Sequence, residues 1–153
     1  MSEHLPKVTY IIIGSKERLS RVKSYQIEKG AECLLCPFQS LEELPSLLDL
    51  KIAELDSSVI SLIPAGAFPK KDARAQLEHF SGSEFHFWGW YHFGNKFKGA
   101  AQSIGKINTL LNKVPQLEQG IFFSRPLYFS VGGLGDSGLN PFAELAKRFY
   151  LRL

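Results

Sequence analysis

Cysteine is scarce in this chain, with two in 153 residues, so a framework of several disulfides is excluded. The two form a Cys-x-x-Cys pair, Cys33 and Cys36, inside an apolar run. Strand positions three apart point to opposite faces, which leaves these thiols poorly placed to bridge or to chelate, and zinc would need ligands from elsewhere. Two reduced structural cysteines in a cytoplasmic protein are expected. No apolar run approaches the roughly 20 residues that cross a bilayer. The opening MSEHLPK is polar and lacks the apolar centre of a signal peptide. Charge of one sign is never gathered into a block: the formal charge is +3, with lysines and arginines scattered among acids. Such mild basicity suits anionic ligands but gives no footprint for nucleic acid, which is not expected as a partner. Repeats, low-complexity tracts and interdomain linkers are also missing.

What remains has the composition of a globular chain, 44% hydrophobic and 22% charged. Its length allows one domain with a core, spanning 1–153, and is short for two. Residues 8–13, VTYIII, form an apolar β-branched run ended by Gly14-Ser15 and read as a central parallel strand. Roughly helical spacing of Leu19, Val22, Tyr25 or Gln26 and Ile27 predicts a helix over 19–29, closed by Gly30. Residues 31–36 read as a second strand closed by Pro37. Ser40 and Glu43 form a capping-box pattern that opens a helical region through Leu55, with Pro45 in its first turn. Residues 57–63 read as a third strand, followed by Pro64-Ala65-Gly66. The order β-α-β-α-β with short connections implies a parallel sheet in a Rossmann-like half, where ligands settle beyond the C-terminal strand ends.

A further helix is expected over 70–80. Residues 85–93, FHFWGWYHF, alternate as a strand does, with Phe85, Phe87, Tyr91 and Phe93 on one face and His86, Trp88, Trp90 and His92 on the other. Residues 94–105 suggest a loop with partial helix, and Ile104, Ile107, Leu110 and Leu111 a helix over 104–114. The chain is organised around 119–133, QGIFFSRPLYFSVGG. Here Ile121-Phe122-Phe123 forms a buried strand, which Arg125-Pro126 stops because proline has no N–H for the ladder. Leu127, Tyr128 and Val131 then make one amphipathic turn, and Gly132-Gly133 permits a turn that a Cβ would hinder. After a glycine-rich loop over 134–141, a last helix from Asn140-Pro141 turns Phe142, Leu145, Phe149 and Leu153 inward.

Residues Gln119-Gly120-Ile121-Phe122 and Phe129-Ser130-Val131-Gly132-Gly133 resemble the acceptor-side segment of family 2 glycosyltransferases, with Glu118 where the family has aspartate. The likeness extends along the chain. Residues 8–17 are similar to the family's opening strand and its proline-x-x-asparagine-glutamate turn, with Ile13 at the proline, Lys16 at the asparagine and Glu17 retained. Residues 85–93 look like its long strand near a tryptophan-glycine pair, and Glu144-Leu145-Ala146-Lys147-Arg148 like its late glutamate-leucine-x-arginine-arginine helix. The resemblance implies a GT-A nucleotide-diphospho-sugar transferase fold: Rossmann-like α/β, a mostly parallel central sheet flanked by helices, and a smaller antiparallel C-terminal part.

Chemistry is a separate matter, because function belongs to sites. An active relative would hold a divalent metal against the diphosphate with carboxylates. The place of that acidic motif is Ile63-Pro64-Ala65-Gly66-Ala67, which has no acid. The family's base-holding aspartate falls at Pro37, and its general-base pair near Pro141-Phe142. With three carboxylate sites empty, no metal or other cofactor is expected, and sugar-nucleotide transfer is expected to be lost or rebuilt. Asp136 is the nearest substitute for the base. Lys16 and Glu17 stand where a nucleotide would lie, Gln119 of the organising stretch is a further ligand-binding candidate, and Arg125 could meet a phosphate bidentately. His86, Trp88 and Trp90 could offer a stacking surface to a sugar or base. A metal between His86 and His92 is disfavoured, since six strand residues part them by roughly 20 Å. Neither a phosphate loop nor a nucleophile elbow is present. Three functions stay open: a glycosyltransferase-like protein with lost or altered activity toward a nucleotide sugar; an interaction protein using 85–93 to bind a protein partner or to form a homo-oligomer; and a metal-independent transferase using Arg125 and lysines against the leaving diphosphate.

Overall fold

The computed structural model describes residues 7–23, 25–83, 86–91, 120–135 and 140–152. The expected loop and helix over 94–114, and Phe85, His92, Phe93, Glu118, Gln119, Asp136 and Leu153, lie outside the described residues.

Among the described residues one open, mixed sheet of five strands is flanked by helices on both faces. Strand β1 (Val8–Gly14) is buried along its whole length, as its unbroken β-branched run predicts. It pairs in parallel with β2 (Ala31–Pro37) on one side and β3 (Val59–Pro64) on the other. Beyond β3 comes β5 (Ile121–Ser124), antiparallel to it, and then β4 (Trp88–Trp90), antiparallel to β5. The order is β2-β1-β3-β5-β4, so β5 alone runs against the other four.

Alternation along the strands divides the core in two. Ile11, Ile13, Ile60, Leu62, Ile121 and Phe123 meet α2 (Leu44–Ala53), α4 (Arg125–Ser130) and α5 (Pro141–Arg152) on the first face, through Leu48, Leu127, Tyr128, Phe142 and Phe149. Val8, Tyr10, Ile12, Val59 and Ile63 meet α1 (Lys16–Ser20) and α3 (Lys71–Phe80) on the second face, through Leu19 and Leu77. The expected outward alternation around β4 holds: Trp88 packs on the first face, Phe87 and Tyr91 on the second. Cys33 and Cys36 likewise divide between the two faces and are both free.

Several expectations are corrected. The helix placed over 19–29 is instead the five-residue α1, which ends at Ser20. The segment that follows is held by side-chain contacts: Tyr25 stacks on Phe68 with ring centroids 4.1 Å apart, and Glu28 pairs with Arg74 at 3.1 Å. Gly30, with φ 96°, serves a turn into β2 and caps no helix. The capping box at Ser40 does not form. Helix α2 begins at Leu44 with Pro45 in its first turn, and the Glu43 carboxylate accepts from the amide of Gln39. The strand placed over 85–93 is described only as Trp88–Trp90.

The organising stretch folds as its residues indicate. Helix α4 follows β5 directly, with Pro126 in its first turn. It closes in a Schellman arrangement, in which Gly133 N donates to Tyr128 O at 3.0 Å and Gly132 N to Phe129 O at 3.1 Å. Gly132 supplies the positive φ, 82°. Among the described residues no helix is long and apolar enough to cross a membrane.

Candidate functional site

The ends of β1 and β3 mark the switch point of the sheet. Helix α1 follows β1 onto the second face and α2 lies on the first, so the chain departs to opposite sides around β1, the arrangement in which open α/β sheets bind ligands. Gly14 and Ala65 lie close enough that a Cβ on Gly14 would stand 3.0 Å from that of Ala65. Ser15 then caps α1, its Oγ accepting from Arg18 N at 3.1 Å. Arg18 reaches from α1 to the end of β3, and its Nη2 donates to Ala65 O at 3.2 Å, beside the turn at Gly66 with φ 89°.

Lys16, Glu17 and Arg18 are all exposed at this rim. Glu17 is paired with Arg21 at 3.0 Å, but both side chains are about three-quarters in water (76% and 74%), so the pair contributes little. The loop opposite, Pro64-Ala65-Gly66-Ala67, offers backbone groups and no carboxylate. A divalent cation bridging a diphosphate wants several hard oxygen ligands, which this donor set does not give it. Among the described residues no three His, Cys, Asp or Glu side chains form a metal-binding group.

The remaining candidates lie elsewhere on the sheet. Strand β4 runs with β1, but its register sets Trp90 opposite Ile121 and level with Leu62 and Ile11, short of the strand end that carries Lys16 and Glu17. His86 and Arg125 lie at the opposite end, where Ser124 N donates to Phe87 O at 2.9 Å and Arg125 N to Ser58 O at 2.9 Å. The reversal of β5 is the reason: its C-terminus points away from the switch point. Trp88 is covered by α5, with Phe149 at 5.7 Å between ring centroids and Tyr150 edge-on at 4.9 Å. Trp90 leans on Trp88 at 5.5 Å, and its buried Nε1 meets no acceptor among the described residues. Lys16 and Glu17 therefore stay together at the end of β1, while Trp90 lies with Trp88 on the other face of the sheet and His86 and Arg125 lie at the opposite end. Gln119 and Asp136 lie outside the described residues.

Other polar groups escaped the sequence reading. Arg18 was legible in part, since Ser15 three residues before it is the spacing of a capped turn. Tyr91 and Ser61 share a buried hydrogen bond of 2.5 Å across the second face, and burial pushes the Tyr91 hydroxyl well above its usual ionisation range despite that partner. Tyr10 is raised likewise, by burial first and then by the nearby Glu28 charge. Glu28 itself moves down: burial opposes its ionisation, but the Arg74 Nε, at 3.1 and 3.3 Å from its oxygens, outweighs that. Between them lies a cavity of about 10 Å³, lined by Lys7, Tyr10, Glu28, Arg74 and Glu78 at the start of the parallel strands, with room for about one water. Neither cysteine is an activated nucleophile, because burial raises both thiols.

The chain matches no protein-family model, no curated protein and no solved structure.

Proposed function

We propose that this is a glycosyltransferase-like α/β domain whose strand ends receive an anionic, nucleotide-sugar-like ligand without metal-assisted transfer. One observation carries the reading: at the ends of β1 and β3 the exposed Lys16, Glu17 and Arg18 face the backbone of Pro64-Ala65-Gly66, with no carboxylate on the β3 side. The mostly parallel sheet with one reversed strand supports the GT-A comparison, and the match over residues 119–133 adds the order strand, turn, helix and double glycine. Cations at the rim suit a diphosphate directly, the role a metal plays in the active family.

Thermal-shift measurements with nucleotide sugars, with and without manganese, test this. Stabilisation that persists in a chelator supports the reading, whereas stabilisation that requires metal, or turnover that does, overturns it. A second reading, an interaction protein, draws on the end of α5, where Tyr150 is 45% exposed beside Trp88 and Leu151 is 90% exposed. It predicts no nucleotide-sugar stabilisation and a concentration-dependent mass in light scattering.

A further inference from the structure

Strand β2 lies at one edge of the sheet, and among the described residues nothing pairs with its outer side. An open edge offers a row of backbone groups to another strand, and proteins commonly blunt it with lysine or a bulge. Strand β2 has neither: its residues, AECLLCP, pair with β1 in unbroken register and carry a single charge, Glu32. Which groups face outward follows from the ladder. Gly30 O accepts from Lys7 N and Phe38 N donates to Gly14 O, so the even-numbered residues turn their N–H and C=O to β1. The odd-numbered residues turn theirs outward. Of these, Ala31 N already donates to Glu28 O at 3.1 Å, and Pro37 has no N–H. The donors that the edge offers are therefore Cys33 N and Leu35 N.

This row is complementary to itself. When two copies of β2 run antiparallel about a twofold axis at Leu34, Cys33 of one faces Leu35 of the other, and the facing residues exchange both of their hydrogen bonds. Moving the axis to Cys33 or to Leu35 leaves one carbonyl of these two residues unpaired, so the register is specified. Pro37 then faces Ala31, where neither has an N–H to give, and the ladder ends. The side chains agree with this register. Leu34 meets its own copy on the first face, and on the second Leu35, 47% exposed, covers the half-buried Cys33. Glu32 comes opposite Cys36 of the other copy. After burial, the strongest influence on the Cys36 thiol is the Lys51 charge of α2, ahead of Glu43, so a carboxylate of each copy approaches an ammonium of the other. A foreign strand would not bring that cation to that place. We infer that β2 pairs with β2 of a second copy of this chain, antiparallel about Leu34, and joins the two sheets into one. This edge does not depend on the function proposed for the strand ends.

Sedimentation equilibrium of the whole chain between roughly 10 µM and 1 mM tests the pairing, since so small an interface associates weakly. A monomer–dimer equilibrium is expected, with slower hydrogen exchange of the Cys33 and Leu35 amides at the upper concentration than at the lower. Leu35→Pro removes an outward N–H and no bond to β1, and is expected to weaken the dimer by about tenfold or more while the monomer stays folded. Glu32→Lys is expected to weaken it by about threefold, and Glu32→Lys with Lys51→Glu to recover most of that loss. Leu151→Lys, at the exposed end of α5, should leave the dimer unchanged. Should Leu35→Pro fail to fold, the charge exchange decides, and no recovery in the double variant overturns the pairing. A monomer at every concentration, a dimer indifferent to Leu35→Pro or lost with Leu151→Lys, or equal protection of both amides at the two concentrations, as a segment of the same chain over the edge would give, would each overturn it as well.

Discussion

Tyr128 and Asp49, 79 residues apart in the chain, share a hydrogen bond in which the phenol donates to Oδ1. The same carboxylate accepts from Leu134 N and Gly135 N, each at 2.9 Å, so α2 holds the loop after α4 by its backbone. From the other side Arg148 of α5 donates to Gly133 O at 2.7 Å and Leu134 O at 2.9 Å. Donors and acceptors of one short glycine loop are thereby satisfied by two side chains of opposite charge, and three helices are joined where apolar packing alone would leave the loop's polar groups unmet.

Removing the carboxylate should therefore cost more than removing the phenol. Asp49→Ala leaves two loop amides and a hydroxyl without their acceptor and is expected to destabilise by about 2–4 kcal/mol. Tyr128→Phe keeps the ring stacked on Phe123, at 5.0 Å, and loses only one donor, for about 1 kcal/mol. Urea denaturation checks both, and a larger loss for Tyr128→Phe would refute the account. The double variant should fall short of the sum of the two, because the residues share a bond.

Two adjacent glycines should answer differently to alanine. At Gly132, φ is 82° and a Cβ would meet nothing within 4 Å, so the cost is that of the left-handed conformation, about 1–2 kcal/mol. At Gly133, φ is 70° and the Cβ would stand 2.8 Å from Asp49 Oδ1, adding displacement of the carboxylate to the same backbone cost. Gly133→Ala is expected to exceed Gly132→Ala by at least about 1 kcal/mol in the same urea experiment. Equal losses would mean that Asp49 does not hold this loop.

Here the reach of the sequence is visible. Strands β1 to β3, helices α3 and α5, and the turn from β5 into α4 follow from local apolar periodicity and from proline and glycine, and the structure has them within a few residues. The helix expected over 19–29 fails because Tyr25 and Glu28 find better partners in Phe68 and Arg74, some forty residues on, than in one another. Asp49 and Arg148 gave no signal because they bind backbone groups distant in the chain, and a carboxylate on a helix reads as solvated. Arg125 was recognised as a residue, yet its place depends on the direction of β5, which determines the end of the sheet that it serves. Lys16 and Glu17 needed only the end of β1.

The contact between β4 and β5 rests on a missing side chain. A Cβ on Gly89 would lie 2.5 Å from Cζ of Phe122 on the paired strand, nearer than any real contact. Gly89→Ala is expected to cost about 1–3 kcal/mol by overpacking, and Phe122→Leu in the same chain to restore part of that. Failure of the second change to relieve the first, by thermal unfolding, would show that the clash is absent.

Alkaline pH should unfold this protein through its tyrosines. Tyr10, Tyr91 and Tyr128 all have hydroxyls raised well above the ordinary value near 10, chiefly by burial, and for Tyr128 also by the bond to Asp49. A group raised in the folded state holds its proton after the unfolded chain has released it, so its stabilisation is complete below about pH 10 and falls as pH rises beyond. Between the unfolded and folded values each such tyrosine removes up to about 1.4 kcal/mol per pH unit. With three acting together, stability should be nearly flat with respect to these groups at neutral pH and drop steeply past pH 10. Tyrosinate absorbance from the buried rings should then appear in the same narrow interval as loss of the far-ultraviolet signal. Tyr91→Phe, which also orphans the Ser61 hydroxyl, is expected to lower stability at neutral pH while making the alkaline fall shallower. Smooth titration of all five tyrosines in a chain that stays folded would refute the burial of these three hydroxyls.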